Sequence, residues 1–503
     1  MKVFLLFPDR DFDLKGELPP QSEALIQDLE LDVLLDTMAQ GDSFLRMVAR
    51  QTLLSSLEDP TVIRYRQMIL QDCLNNPDTV RELYQIPVQA LINKQKQWLG
   101  IFSLYPSSIL SSAVELLEMF VGLLRKMRRI VDENGQNFSS PGFQRFFNMI
   151  RQELDEAYFA EIETHLKELR FREGVLISAE LGMGNEGQNY ILRRPKRAKG
   201  NWMNRVFSKK SPVYSFSIPP RDDHGAKAVG ELRDRGINSI ANAVAQSADH
   251  IDSFLNVLRV ELGFYVACLN LAERLAEIGE PIVFPEPYPA STRDHSFRGL
   301  YEVCLALTVN RRVVGNEMNG DGKDLVMITG ANQGGKSTFL RSIGVAQLMM
   351  QCGMFVGAES FAANCCSRLF THYKREEDAT MKSGKFDEEL GRMSEIVNWL
   401  KPNAMVLFNE SFAATNEHEG SEIARQIVKA LIDQQIKVFF VTHMYELAHR
   451  FYEPGTTNAL FLRAERQKDG QRTFKLHEGE PLPTSFGQDV FQKVFEINRQ
   501  QQV

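Results

Sequence analysis

With 503 residues the chain is too long for one ordinary hydrophobic core and divides into two to four domains, and 43% apolar with 24% charged residues is the balance of a soluble globular protein. A net charge of −7 excludes a generally basic nucleic-acid binder, so such a partner has to be met by a local patch. The cysteines Cys73, Cys268, Cys304, Cys352, Cys365 and Cys366 lack zinc-type spacing and fit a reduced, cytoplasmic compartment, while the short apolar start, with no long apolar run elsewhere, argues against secretion and membrane insertion.

The first half reads as successive helices. Over 22–40, Leu25, Ile26, Leu29, Val33 and Met38 keep helical spacing, and Phe44, Leu45, Val48, Leu53 and Leu54 continue it after Gly41 and Asp42. Asp59 and Pro60 predict an N-cap and a first helical proline for 61–75, and Pro77 opens the next helix similarly. The stretches 106–133 and 141–172 read as long rods.

Between 173 and 220 the pattern changes to β-like runs at 174–180, 189–192 and 212–218, parted by Gly182, Gly184, Asn185 and Gly187, which predicts a small inserted sheet. Inside it Arg193, Arg194, Lys196, Arg197, Lys199, Arg205, Lys209 and Lys210 are interleaved with Trp202 and Phe207, and no acidic residue falls between 193 and 210. Phosphate-backbone contacts would be sought there, although a solvated loop accounts for the same composition equally well. Helical spacing resumes after Asp223. Ile251, Phe254, Leu255, Leu258, Leu262 and Leu269 mark a buried stripe in the run 241–280, a helix of roughly 30 residues spanning about 45 Å. Pro281, Pro285, Pro287 and Pro289 then mark a boundary, which partitions the chain into 1–172, 173–220, 221–282 and 283–503.

The last segment carries the chemistry. An apolar β-rich run, 325–328, meets Thr329, Gly330, Ala331, Asn332, Gln333, Gly334, Gly335, Lys336, Ser337 and Thr338 before an apparent helix at 339–351, placing G-x-x-x-x-G-K-S between strand and helix. Glycines allow successive N–H groups to turn toward phosphate oxygens, and a helix N-terminus adds its dipole. Lys336 would reach the β- and γ-phosphates, and Ser337 would ligate Mg²⁺. A second strand, 404–408, delivers Asn409 and Glu410 to the carboxyl edge of the sheet, where Glu410 can position or polarise a water. A third, 437–441, ends in Thr442 and His443, whose imidazole could hydrogen-bond a γ-phosphate.

These motifs resemble those of the MutS mismatch-repair ATPase family: I-T-G-A-N-Q-G-G-K-S-T-F-L-R at 328–341, G-M-F-V-G-A-E-S at 353–360, N-E-S-F-A-A-T-N-E-H-E-G at 409–420, V-T-H-M-Y-E-L at 441–447 and, upstream, D-P-T-V-I-R-Y-R-Q at 59–67. The resemblance implies an α/β P-loop (ABC-type) ATPase domain preceded by a mainly α-helical core and lever domain with a small β-containing clamp insertion. It further implies ATP and Mg²⁺ as ligands, a homodimer or heterodimer formed through the ATPase domains, and double-stranded DNA as partner. Ser383, in M-K-S-G-K at 381–385, matches the loop that meets the γ-phosphate of the second subunit, and Asn316 matches the asparagine near the adenine. Departures are also present. Core-like helices begin near the start of the chain, so the family's mismatch-reading domain, connector and aromatic wedge are not expected, nor are a nuclease domain or the extra C-terminal helices. Asn409 stands where the family has Asp, keeping an oxygen ligand for Mg²⁺ but losing its charge, which predicts slow hydrolysis with binding retained. Two functions follow: an ATP-gated clamp on mismatched or unusual duplex DNA, or an ATP-switched scaffold that no longer binds DNA.

Overall fold

The computed structural model describes residues 1–98, 105–172, 174–194, 214–375, 384–452, 458–467 and 472–483. It contains two compact units, one of 1–3, 82–136 and 145–259, the other of 4–81, 137–144 and 260–503.

Local chemistry sets the early helices. α1 (Ser22–Asp28) and α2 (Leu31–Ala39) are parted by Glu30 in the left-handed region, so 22–40 is two helices. α3 (Ser43–Leu54) begins where the Asp42 carboxylate accepts from the Phe44 and Leu45 amides, and α4 (Pro60–Asn75) where Asp59 accepts from Thr61 N at 2.8 Å with Pro60 at the first position. The Asp59 cap is the one expected from the sequence, and each cap contributes about 1 kcal/mol. α5 (Pro77–Trp98) and α6 (Pro106–Asn134) follow.

The structure departs from the sequence pattern at three places. The rod expected at 141–172 is two helices, α7 (Pro141–Glu153) and α8 (Glu156–Leu169), because Asp155 caps the second by accepting from Tyr158 N at 2.7 Å. The insertion's described strands are β1 (Leu176–Leu181) and β2 (Gly187–Arg193), an antiparallel pair; 214–218 forms no strand. The return helix is α9 (Asp223–Glu277), 55 residues or about 80 Å rather than roughly 30 residues. Its first turns are largely exposed and carry no dense apolar stripe, whereas the predicted stripe from Ile251 to Leu269 is buried. Within 106–137 and 223–277 lie 18-residue windows apolar enough to cross a membrane; that of the second is 83% buried, as in a core helix, and that of the first 39%.

Among its described residues the second unit holds two sheets. Its further elements are β3 (Glu286–Tyr288), β4 (His295–Leu300), α10 (Val303–Val309), β5 (Asn316–Asn319), β6 (Leu325–Gly330), α11 (Lys336–Gln351), β7 (Ser360–Asn364) and β8 (Leu369–Tyr373). They continue with α12 (Lys385–Val397), β9 (Met405–Asn409), α13 (Glu417–Asp433), β10 (Lys437–Val441), α14 (Tyr445–Tyr452), β11 (Ala459–Arg466) and β12 (Arg472–Glu478). The larger sheet runs β12-β11-β6-β10-β9-β8, parallel except for β12, and the smaller runs β3-β7-β4-β5. Helical and mixed-sheet α/β parts are thus both present. Met327, Val406, Phe408, Val428 and Phe440 lie in the core beneath the larger sheet, each contributing about 1.5–3 kcal/mol by burial. Register places Val441 beside both Ile328 and Asn409, so three strand ends meet at one edge.

The N-terminal segment is held by buried polar groups of the same unit. The Glu261 carboxylate accepts from Leu5 N (2.6 Å), Leu6 N (3.2 Å) and Phe12 N (3.0 Å), Tyr265 donates to Leu5 O (2.6 Å), and Arg66 donates to Leu6 O (2.7 Å) and Cys352 O (3.1 Å).

Candidate functional site

The glycine-rich turn leaves β6 at Gly330, whose φ is +110°, passes Gln333 and Gly335 at φ +59° and +87°, and enters α11 at Lys336, three residues earlier than expected. Glycine is required at 334 for space: a Cβ there would lie 2.8 Å from both Ala331 O and Ala464 Cβ. Asn332 and Gln333 are exposed, while Ala331 and Gly334 are buried. The Lys336 ammonium is nearly buried and folds back to donate to Gly330 O (3.1 Å) and Ala331 O (3.2 Å). Burial lowers its pKa, Glu410 opposes that shift, and Arg472 adds to it. Ser337, followed by Thr338 in the same turn of α11, donates to Asn409 Oδ1 at 2.9 Å.

Glu410 follows β9 with φ +55°, and its N–H donates to Val441 O at 2.9 Å. Its carboxylate faces His443 Nδ1 at 3.6 Å, a contact longer than a hydrogen bond proper. His443 first, then Lys336 and Lys374, hold the carboxyl below its ordinary range against the opposing effect of burial. Lys336, Ser337, Asn409, Glu410 and His443, far apart in sequence, are therefore brought together at the ends of three parallel strands.

Asn316 is placed differently. Its amide donates to Phe474 O (3.1 Å) and accepts from Leu476 N (2.8 Å), so the side chain clips β5 to β12. Ser383 lies outside the described residues, as do Lys196, Arg197 and Lys199 of the basic stretch. Arg193 donates to Ser178 Oγ at 2.9 Å, and Arg194 pairs with Glu168 at 2.6 Å.

Residues that the sequence did not single out also border the turn. Arg472 donates to Asn332 O at 3.3 Å, and Phe474, half-exposed at φ +60°, stands beside Gly335. No local signal in the run from Arg472 to Glu478 says which turn it overlies.

The sequence matches two family models, one described as the MutS2 N-terminal domain over residues 58–278 and one as MutS domain V over 326–496. The chain belongs to the MutS family. The domain V match begins within β6 and contains Gly330 to Thr338, Asn409, Glu410 and His443; the other contains α4 to α9. Among MutS relatives, the DNA mismatch repair protein MutS of Nostoc punctiforme is 33% identical over 26% of this chain and 15% of its own length. That of Streptococcus mutans is 26% identical over 52% of this chain and 31% of its own length, and mouse MutS protein homolog 4 is 27% identical over 33% and 17% respectively. Each match thus spans less than a third of the relative's length.

Proposed function

We propose that this MutS-family chain binds ATP with Mg²⁺ and hydrolyses it slowly to gate a dimeric clamp on mismatched or unusual double-stranded DNA. The observation that carries this reading is the convergence of Lys336, Ser337, Asn409, Glu410 and His443 on one sheet edge, beside a turn that admits only glycine at 334. In this P-loop (ABC-type) reading the amides of Gly330 to Thr338 cradle the phosphates, and the Lys336 ammonium, now on two carbonyls, turns to the β- and γ-phosphates. Ser337 Oγ and Asn409 Oδ1 would hold the metal ion. These two oxygens, already drawn together at 2.9 Å, are the hard donors that Mg²⁺ takes. Bound there, the ion would neutralise charge on the β- and γ-phosphates. Glu410, kept ionised by His443, accepts a hydrogen bond from the attacking water, and His443 donates toward the γ-phosphate. Phe474 offers the adenine a face to stack on, beside the Asn316 clip.

Functionally, 1–172 would be core and first lever, 173–220 the clamp insertion, 221–282 the return lever and 283–503 the ATPase, which dimerises as homo- or heterodimer with Ser383 reaching the partner's nucleotide. A cytoplasmic location agrees with six buried free thiols.

Nucleotide titration and turnover at saturating Mg²⁺ test the site. Lys336→Ala should abolish productive binding, and Asn409→Asp, restoring a charge on the metal, should speed hydrolysis. Undiminished turnover in Lys336→Ala refutes the assignment, and a brisk wild type with no gain from Asp refutes the role given to Asn409. The DNA reading predicts that replacing Arg193, Arg194, Lys196 and Arg197 with Ala weakens duplex binding and flattens its salt dependence, by about 0.9 in log–log slope for each phosphate no longer neutralised, with ATP affinity unchanged. Anisotropy titrations on homoduplex, mismatched and branched DNA, with and without ATP, decide it; identical curves for wild type and variant sink the basic-stretch assignment.

A further inference from the structure

Behind the turn that presents Glu410 lies a buried polar set that nucleotide binding does not use. Glu410 and Phe412 both have left-handed backbones, φ +55° and +64°, on either side of Ser411. For non-glycine residues each such conformation costs roughly 1–2 kcal/mol and persists only where its surroundings enforce it. Here the enforcing groups are identifiable. Phe412 N donates to Glu389 Oε2 of α12 at 2.9 Å, and the fully buried Ser411 hydroxyl lies 2.8 Å from His372 Nδ1 and 2.5 Å from His372 O on β8. The imidazole is itself fully buried, stacks on the Phe412 ring at 5.1 Å and 16°, and has Nε2 2.9 Å from Glu389 O.

Because a carbonyl only accepts, Nε2 carries the proton. Burial pushes the imidazole down to about 4, so it is neutral at physiological pH and Nδ1 is an acceptor. The single Ser411 proton then serves either Nδ1 or His372 O. A phenylalanine would fill this space without needing polar partners; a histidine with both nitrogens engaged ties the turn to a strand on one side and to a helix on the other.

We propose that His372 is a positioning residue for Glu410: through Ser411 it fixes the turn 410–412, and through Glu389 it links that turn to α12. The inference rests on the ATPase reading of the site. A carboxylate displaced by about 1 Å costs on the order of a hundredfold in rate while leaving the phosphate cradle intact.

The test compares wild type with His372→Ala, His372→Asn, Ser411→Ala and the His372→Ala/Ser411→Ala double variant. It measures affinity for a fluorescent ATP analogue, single-turnover ATP hydrolysis and melting temperature. Expected are a ten- to hundredfold loss of rate in His372→Ala with nucleotide affinity within about twofold, and a similar loss in Ser411→Ala. The double variant should be no slower than either single one, and His372→Asn, whose amide can still reach the Ser411 hydroxyl, should recover most of the rate. Should His372→Ala fail to fold, Ser411→Ala, which removes a single oxygen, carries the comparison with His372→Asn. Hydrolysis at the wild-type rate in Ser411→Ala or His372→Ala overturns the positioning role alone, as does an Asn variant as slow as the Ala variant. A wild type that binds no nucleotide overturns the ATPase reading, and this one with it.

Discussion

The larger sheet and the β1–β2 ribbon use backbone pairing, mostly parallel in the first and antiparallel in the second, to opposite ends. In β9, four consecutive buried residues, Met405 to Phe408, lead to the half-buried Asn409 and then Glu410, so packing on both faces fixes where the polar end points. In the ribbon no residue of either strand is buried; Leu181 is 79% exposed, and Met183 in the turn is 93% exposed. A two-stranded ribbon of this kind has little core of its own, and its shape rests on main-chain pairing from Leu176 opposite Arg193 to Leu181 opposite Gly187. Side chains at the strand ends of the larger sheet are therefore constrained by their neighbours, whereas those of the ribbon are free to be chosen for what they meet.

The sharpest way to break this contrast is to truncate one leucine in each region. Leu407→Ala, at a position with no exposed surface, should cost about 2–5 kcal/mol, while Leu181→Ala should stay within about 0.5 kcal/mol in urea unfolding. Comparable losses would mean that the ribbon is packed against something in solution.

A smaller effect distinguishes two glycines. In Gly334→Ala the new methyl meets Ala331 O and Ala464 Cβ at 2.8 Å, which should shift the turn, cost about 1–3 kcal/mol and lower ATP affinity at least tenfold. Gly184→Ala has open space and a φ of +73°, so only backbone strain of about 1 kcal/mol is expected, with ATP affinity unchanged. Melting curves and nucleotide titrations of the pair check both halves, and an unaltered ATP affinity in Gly334→Ala would remove the steric reason for a glycine there.

What could be read from the sequence follows the same division. Asp59 and Pro60 specify their helix start locally, and the apolar runs ending at Gly330, Asn409 and Val441 specify buried strands, so these were legible. The break at Asp155 was not, because one acidic residue among several can cap a helix or decorate it. Nor was the length of α9, since the exposed turns after Asp223 lack the periodic stripe by which a helix announces itself. Asn316 meets Phe474 and Leu476 across some 160 positions, and His372 meets Ser411 across 39. Such pairings depend on strand order, which no single segment encodes.

A last difference concerns charge buried in the sheet-bearing unit. Burial raises the Glu261 carboxyl from 4.5 to about 7, against the opposing effect of the amides of Leu5, Phe12 and Leu6. Since the folded value lies above the unfolded one, the folded chain holds this proton more tightly; the resulting stability is complete below about 4.5 and is lost as pH rises through about 7. The melting temperature should therefore fall by a few degrees between about pH 5 and 8, and Glu261→Gln, which cannot ionise, should flatten that slope even if it melts lower throughout. A wild type and a Gln variant with parallel pH profiles would show that the N-terminal segment is held equally well by the charged carboxylate, whose three amide hydrogen bonds would then outweigh the cost of burying it.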